Sequence, residues 1–437
     1  MKLEEIIKAS NAKVIKIVET NENIEISTDT RTIKKGDFYL PLKGSSFDGE
    51  NFLDKAIENG AVGCFITGNN YPQQAKVVLK VKDTLETYLK LANFYRKKTG
   101  AKVVAITGSS GKTTTKEMVF SVLSQKYNTV KTLSNHNNEI GLCQTIFSAT
   151  TDTEVLILEM GMRGLGEIEL LSRYAQPDYA IITNAGTAHL GRLGSLDNIA
   201  KAKCEIALHL NPKGTFIAQN NERIKNFVDF NGEKIYFALS DAQILTRKAG
   251  YTKFIYKSHE YEIFTEGDFN VENALSAIEV GEKLGLTHDE IKRGLASYKP
   301  IEKRWETEKI GTLNIINDSY NANPDSMKAS VSAFLGLYSN PVVVLGDMGE
   351  LGENEIQLHR EVGKYLAKIA PKETKFITVG TLSREIATEL NNVVSVDSNA
   401  DAAKVLKEMP INSTVFLKAS RAMKFEEIIN YLKGENQ

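Results

Sequence analysis

The sequence predicts an α/β protein of three domains: a small N-terminal α/β domain, a central domain with a mostly parallel sheet, and a C-terminal Rossmann-like α/β domain. Three observations carry this expectation. The chain of 437 residues is longer than one hydrophobic core organises. Short β-branched runs alternate with helical patterns in two separate series. Between the first such run and the helix after it stands a glycine loop ending in Gly111-Lys112-Thr113-Thr114.

Residues 1–83 hold short strand candidates, KVIKIV (13–18), IEIST (24–28) and DFYLPL (37–42), with turns at Lys35-Gly36-Asp37 and Phe47-Asp48-Gly49. Residues 84–300 hold the first alternating series, KVVAIT (102–107), VLILEM (155–160), YAIITN (179–184) and TFIAQN (215–220). An interval around Lys299, Pro300 and Arg304 reads as a linker, and 301–437 holds the second series, VVVLGD (342–347), KFITVG (375–380) and TVFLKA (414–419). No internal repeat or low-complexity tract interrupts the pattern.

Composition excludes several functions. With 42% hydrophobic and 25% charged residues the chain is an ordinary globular one, and 54 Lys+Arg against 55 Asp+Glu leave no global field for nucleic acid or an anionic membrane. An anionic ligand must be held by a local site. Cys64, Cys143 and Cys204 are far apart and form no CxxC pair, which fits a reducing cytoplasm. The start, MKLEEIIKAS, lacks the basic and apolar regions of a signal peptide, and no stretch is long enough to span a bilayer, so a cytoplasmic protein is expected.

The segment Thr107-Gly108-Ser109-Ser110-Gly111-Lys112-Thr113-Thr114 follows the strand KVVAI and precedes the helical pattern KEMVFSVLSQKY. Glycines let backbone N–H groups approach phosphate oxygens, and the helix N-terminus adds a favourable dipole. Lys112 is placed to meet the β/γ-phosphates and the Thr113 hydroxyl to ligate Mg²⁺. The loop is shorter than GxxxxGK[ST], since Ile106 stands five before Gly111. A plain Gly/Ser turn is the bland alternative.

Phosphoryl transfer needs charge neutralised near this loop. Glu159 ends VLILEM, and His189 follows YAIITN, both at the strand ends where ligands bind in this architecture. Each is by itself as readily an ordinary surface or structural group. Asn270 and Asn273 lie three apart at the start of a helix with apolar Val271, Ala274, Leu275 and Ile278, which puts both amides on one edge of its first turn; simple capping would account for Asn270.

Together these pieces resemble the Mur ligases. The resemblance rests on TGSSGKTTTKEM (107–118), LEMGMRGLGEI (158–168), ITNAGTAHLGRLGS (182–195), AKAKCEI (200–206), FNVENALSA (269–277), RWE (304–306), INDSYNANPDSM (316–327) and LGDMGELG (345–352), and it covers nearly the whole chain. TDTRTIKKGDFYLPLKG (28–44) and FDGENF (47–52) are similar to the family's uridine-diphosphate-binding domain. NDSYNANPDS and LGDMGELGENE resemble the branch that adds D-alanyl-D-alanine, and HNNEIG (136–141) resembles its substrate loop.

The resemblance implies an ATP-dependent ligase joining D-alanyl-D-alanine to UDP-N-acetylmuramoyl-tripeptide through an acyl phosphate, acting as a monomer with Mg²⁺, two ions being expected. It implies ATP contacts at Gly108, Ser109, Ser110, Gly111, Lys112, Thr113, Thr114, Asn273, Arg304 and Asp318. Uridine-substrate contacts fall at Thr30, Arg31, Lys43, Phe47, Asp48, Asn137 and Asn138, and amine contacts at Asn321, Ser420 and Arg421. Lys203 aligns with a lysine that carries a carbamate in many family members, and would join Thr113, Glu159 and His189 in the metal shell. Catalytic roles thus fall on Lys112, Glu159, His189, Lys203, Asn273, Arg304 and Asp318. Lys203 is otherwise a solvated helix lysine, Arg304 and Asp318 an interdomain salt bridge, and Arg421 a surface arginine. Another ligase of the superfamily, whether third-residue-adding or folylpolyglutamate-type, and a nucleotide-driven switch are the competing readings.

Overall fold

A computed structural model describes residues 1–18, 23–44, 46–301 and 303–434. The chain divides into two compact units, Met1–Lys102 with Asn135–Leu156, and Val103–Ser134 with Ile157–Gln437.

In the first unit a five-stranded sheet has the order Lys13–Ile17, Val77–Lys80, Gly63–Ile66, Phe38–Tyr39, Ile26–Ser27. Its first pair is antiparallel and the others are parallel. IEIST and DFYLPL contribute only two residues each, because Pro41 has no N–H to extend a ladder and Thr28 leads into a turn. Tyr39, Leu53, Ala56, Cys64, Ile66 and Val78 form the core under the sheet. The helix Thr84–Thr99 starts where the Asp83 carboxylate accepts the Glu86 N–H and stops at Gly100 in the left-handed region. It stacks Tyr88 on Phe147 of the helix Glu139–Phe147, with ring centres 5.4 Å apart.

The second unit holds three sheets. The first has the order Glu233–Phe237, Thr215–Gln219, Tyr179–Ile182, Lys102–Thr107, Val155–Glu159, Thr129–Lys131. Val103 through Ile106 and Leu156 through Leu158 are wholly buried, which is why these strands read as unbroken apolar runs: helices cover both faces of a parallel sheet. The parallel pairing brings Thr107 beside Ile182, so the loop after one strand meets the ITNAGTAHL segment after the other. The helices Lys112–Leu123 and Asp268–Lys283 pack against one another.

A three-stranded antiparallel sheet, Ala242–Lys248, Tyr251–Tyr256 and His259–Ile263, is not announced by the sequence pattern. Tyr251–Tyr256 alternates half-buried and buried residues, the signature of a sheet with one wet face, and a search for continuous apolar runs passes over it. The last sheet has the order Glu306–Ile310, Leu313–Asn317, Thr414–Lys418, Pro341–Gly346, Lys375–Val379, Val393–Val396, parallel except for its first pair. One face buries Trp305, Phe334 and Phe416, the other Val342, Val344, Val415 and Leu417. No described helix is long and apolar enough to cross a membrane.

Phe416 lies at the centre of the first face, its ring 5.2 Å from both Trp305 and Phe334. Truncating it leaves a cavity that these rigid rings cannot fill. Phe416→Ala should cost about 3–5 kcal/mol, read as a lower urea midpoint for the transition that reports Trp305 fluorescence. An unshifted midpoint would show that this face does not hold the sheet together.

Candidate active site

The phosphate loop stands between the strand Lys102–Thr107 and the helix Lys112–Leu123, and the sequence gives it little freedom. Gly111 caps the helix at φ 78°, and a side chain there would lie 2.5 Å from Asn273 Oδ1, so both conformation and space demand glycine. The loop is clamped by the next strand end. Ser110 N donates to Asn184 Oδ1 (3.0 Å), Thr183 Oγ1 donates to Ser110 O (2.6 Å), Ser109 N donates to Asn184 O (3.1 Å), and Ser109 Oγ donates to Gly186 O (3.0 Å).

Asn273 supports the loop from the other side, where it accepts the Thr115 hydroxyl at 3.1 Å and donates to Asn270 Oδ1 at 3.4 Å. Asn270 is not the helix cap, a position Gly267 takes; its amide donates to Glu266 O (2.7 Å) and holds the approach to the helix. Thr114 hydrogen-bonds Tyr298. Thr183, Asn184 and Thr115 are not among the expected site residues, although all three stand inside the segments 107–118 and 182–195 that carry the family resemblance.

Charge gathers around this loop. Lys112 Nζ donates back to Gly108 O at 2.7 Å, the position a phosphate oxygen would compete for. Thr113 Oγ1 donates to Glu159 Oε2 at 3.0 Å, joining two of the expected metal-shell residues. Lys116, which no motif singles out, is wholly buried with its Nζ 3.5 Å from the same Glu159 oxygen and 3.4 Å from Glu117 Oε1.

Lys203 is 1% exposed. The solvated reading of that lysine is therefore excluded. Burial, reinforced by the nearby Lys112 charge, pushes the Lys203 pKa well down. Burial also lowers Lys112, with Arg304 adding and Glu159 opposing. The imidazole of His189 is lowered by burial and by Lys112 and Lys203, against the pull of Glu350.

Among the described residues no group of three His, Cys, Asp or Glu could by itself enclose a metal ion. A hydroxyl and a buried carboxylate sharing one hydrogen bond beside a phosphate loop nonetheless suit Mg²⁺, which keeps waters and phosphate oxygens as its other ligands.

Arg304 lies close enough to lower the Lys112 pKa, stacks its guanidinium 3.9 Å from the Tyr320 ring centre, and makes no ion pair among the described residues. Its buried Nε has no hydrogen-bond partner. Asp318 pairs instead with buried Lys418 at 2.5 Å, across neighbouring strands of the last sheet, so these two residues do not bridge to each other. Asn321 is exposed and its carbonyl faces Lys418 Nζ at 3.4 Å. Buried Ser420 donates its N–H to Asp347 O (3.0 Å), and exposed Arg421 donates to Glu426 Oε1 (2.9 Å).

The expected uridine-substrate residues all fall in the first unit. Thr30 O accepts the Asn59 amide (2.8 Å), and Arg31 pairs with Asp29, whose carboxyl it holds down at about 2. Lys43 pairs with Asp48 at 3.1 Å, and exposed Phe47 stacks on Phe52 with ring centres 5.3 Å apart. Asn138 caps the helix Glu139–Phe147 by accepting Gly141 N (3.0 Å), and Asn137 precedes it.

Comparison with known proteins gives one consistent picture. Residues 106–281 match the family model described as Mur ligase middle domain, and 303–421 the one described as Mur ligase, glutamate ligase domain. The chain is 38% identical over 429 residues to the UDP-N-acetylmuramoyl-tripeptide–D-alanyl-D-alanine ligase of Bacillus subtilis (strain 168), covering 93% of this chain and 92% of that one. It is 32% identical over 428 residues to the enzyme of the same name from Escherichia coli (strain K12), covering 93% of each. A crystal structure of MurF from Acinetobacter baumannii superposes with a TM-score of 0.89 at 29% identity, over 99% of this chain and 98% of that one. The structure of MurF ligase from Thermotoga maritima in complex with ADP superposes with a TM-score of 0.85 at 27% identity, over 94% and 97%. With two family models spanning the second unit and full-length relatives above 30% identity, the chain belongs to the Mur ligase family.

Proposed function

We propose that this protein is an ATP-dependent ligase that joins D-alanyl-D-alanine to UDP-N-acetylmuramoyl-tripeptide. The observation that supports this best is the clamped phosphate loop with Lys112, Lys203 and Arg304 around it and few carboxylates to answer them. Such a site calls for a polyanion. The relatives carry the choice of acceptor. Residues 1–83 would take the uridine substrate, 84–300 the ATP, and 301–437 the amine.

The tripeptide carboxylate attacks the γ-phosphorus of ATP, forming a C–O–P linkage as the bond to ADP breaks. The amine nitrogen of D-alanyl-D-alanine then attacks the acyl carbon, phosphate leaves, and the nitrogen gives up its proton. Lys112 and the loop N–H groups oppose the repulsion between carboxylate and triphosphate. Mg²⁺, held by Thr113 and Glu159 with His189 and Lys203 nearby, would supply further neutralisation of phosphate charge. Arg304 meets phosphate, and Asp318, kept in place by Lys418, meets the nucleotide. Asn321, Ser420 and Arg421 would bind the amine substrate, Arg421 through its carboxylate. Holding the reactants together is worth about 7–11 kcal/mol of barrier.

Lys203 has the form carbamylation requires. Its lowered pKa eases loss of the ammonium proton; the amine nitrogen then bonds to CO₂ with loss of a further proton, and the resulting carbamate places an anion beside Lys112. That exchange relieves the like-charge contact.

With ATP, Mg²⁺ and UDP-N-acetylmuramoyl-tripeptide, purified protein should release phosphate on adding D-alanyl-D-alanine and not on adding diaminopimelate, lysine or glutamate. Turnover with one of those three would reassign the acceptor, and hydrolysis without any acceptor would favour a switch. Lys112→Met should lower kcat about 10²–10³-fold; an unchanged kcat would remove Lys112 from the chemistry. Lys203→Ala should lose activity that short carboxylic acids restore, whereas full activity at low bicarbonate would rule out the carbamate.

A further inference from the structure

His189 and Glu350 meet across the seam between the first and last sheets of the second unit, and neither residue is in a relaxed conformation. Both have positive φ, 63° and 62°, although neither is glycine. Such backbone persists only where surrounding contacts impose it, and it concentrates at working sites. His189 Nδ1 faces Glu350 Oε2 at 2.5 Å and has no other hydrogen-bond partner. Gly191 N donates to Glu350 O at 3.1 Å, and Gly191 and Gly352 pack backbone against backbone, so closely that a side chain on Gly352 would lie 2.8 Å from Gly191 Cα. Alongside, Asp325 Oδ2 accepts both the Thr187 N–H (2.8 Å) and its hydroxyl (2.9 Å).

The loop that carries Glu350 is held from behind. Asp347 accepts Ser383 N at 2.7 Å and gives its carbonyl to Ser420 N at 3.0 Å, while the buried His359 ring accepts Met348 N at 2.9 Å. A carboxylate mounted this firmly can orient an imidazole. With Nδ1 turned to Glu350, Nε2 is the ring nitrogen left for a ligand, and a carboxylate behind a histidine fixes ring orientation and raises its basicity.

We infer that Glu350 is a positioning residue: reaching across the seam, it orients His189 beside the phosphate loop, so that the site is complete only when the two sheets are docked. This rests on the proposed role of His189 as a metal ligand. The polypeptide that binds the amine thereby also finishes the site that handles phosphate.

The experiment is a double-mutant cycle of Glu350→Gln and His189→Ala, read by Mn²⁺ titration in the presence of ADP by electron paramagnetic resonance and by steady-state kinetics. Glu350→Gln keeps the size of a partly exposed side chain, and thermal melting confirms that it folds. Its Mn²⁺ dissociation constant should rise 10- to 100-fold, kcat should fall in step, and KM for the uridine substrate should not move. In the His189→Ala background the same change should add nothing. Unchanged Mn²⁺ binding and kcat in Glu350→Gln, or additive losses in the double variant, would overturn the inference. Because Mn²⁺ binding needs no acceptor, wild-type protein that fails to use D-alanyl-D-alanine would sink the proposed function while leaving this result readable.

Discussion

The second unit is organised around an imbalance of charge. Lys112, Lys203 and Arg304 crowd the phosphate loop, and the carboxylate among them, Glu159, is shared between the Thr113 hydroxyl and the buried Lys116. Removing a cation from water without a partner is costly, and a protein that keeps such a group either neutralises it or reserves it for a ligand. The depressed pKa values of Lys112 and Lys203 are the first response; an anionic ligand is the second. A triphosphate brings what the fold withholds, so binding gains the electrostatic energy that folding leaves unrealised.

Reserving cations in this way requires a loop that does not collapse onto them. The clamps on the loop come from far along the chain, with Asn184 74 positions from Ser110 and Asn273 158 positions from Thr115. Parallel pairing of neighbouring strands delivers the first, and packing of two helices the second. Thr183, next to Asn184, fills the space a side chain would need at Gly108, and Asn273 the space at Gly111, so the glycines and their supports are mutually required. The short GxxGKT form is stable here because its rigidity is supplied by neighbours and not by its own length.

That explains what was legible in the sequence. The strand, loop and helix around Lys112 are local, and their pattern is complete within twenty residues or so. Buried parallel strands also declare themselves as apolar runs. The antiparallel Ala242–Ile263 sheet, the clamp by Thr183 and Asn184, and the Lys116–Glu159 contact depend on partners distant in the chain. No spacing rule reaches them. Asp318 illustrates the middle case: beside the nucleotide contact that the resemblance implies, its place near the linker left an interdomain salt bridge as the alternative, and the structure gives it Lys418, one strand over in the same sheet. Lys203 is the reverse case, an ordinary helix lysine by pattern that tertiary packing buries completely.

The seam between the two larger sheets carries the same logic into specificity. NDSYNANPDS and LGDMGELGENE, the segments by which this chain resembles the D-alanyl-D-alanine-adding branch, supply Asp325 and Glu350, the side chains that grip Thr187 and His189. Asn323 accepts Ser326 N at 2.9 Å and starts the helix Pro324–Leu335 so that Asp325, in its first turn, faces outward to Thr187. Gly186 and Gly191 leave room for the approach, since a side chain at Gly186 would lie 2.5 Å from Asp325 Oδ2. Sequence that would be attributed to acceptor recognition alone therefore also builds the contact with the phosphate loop's own surroundings. A substitution there acts on the docking of the two sheets, because Asp325 and Glu350 are the side chains that make the contact.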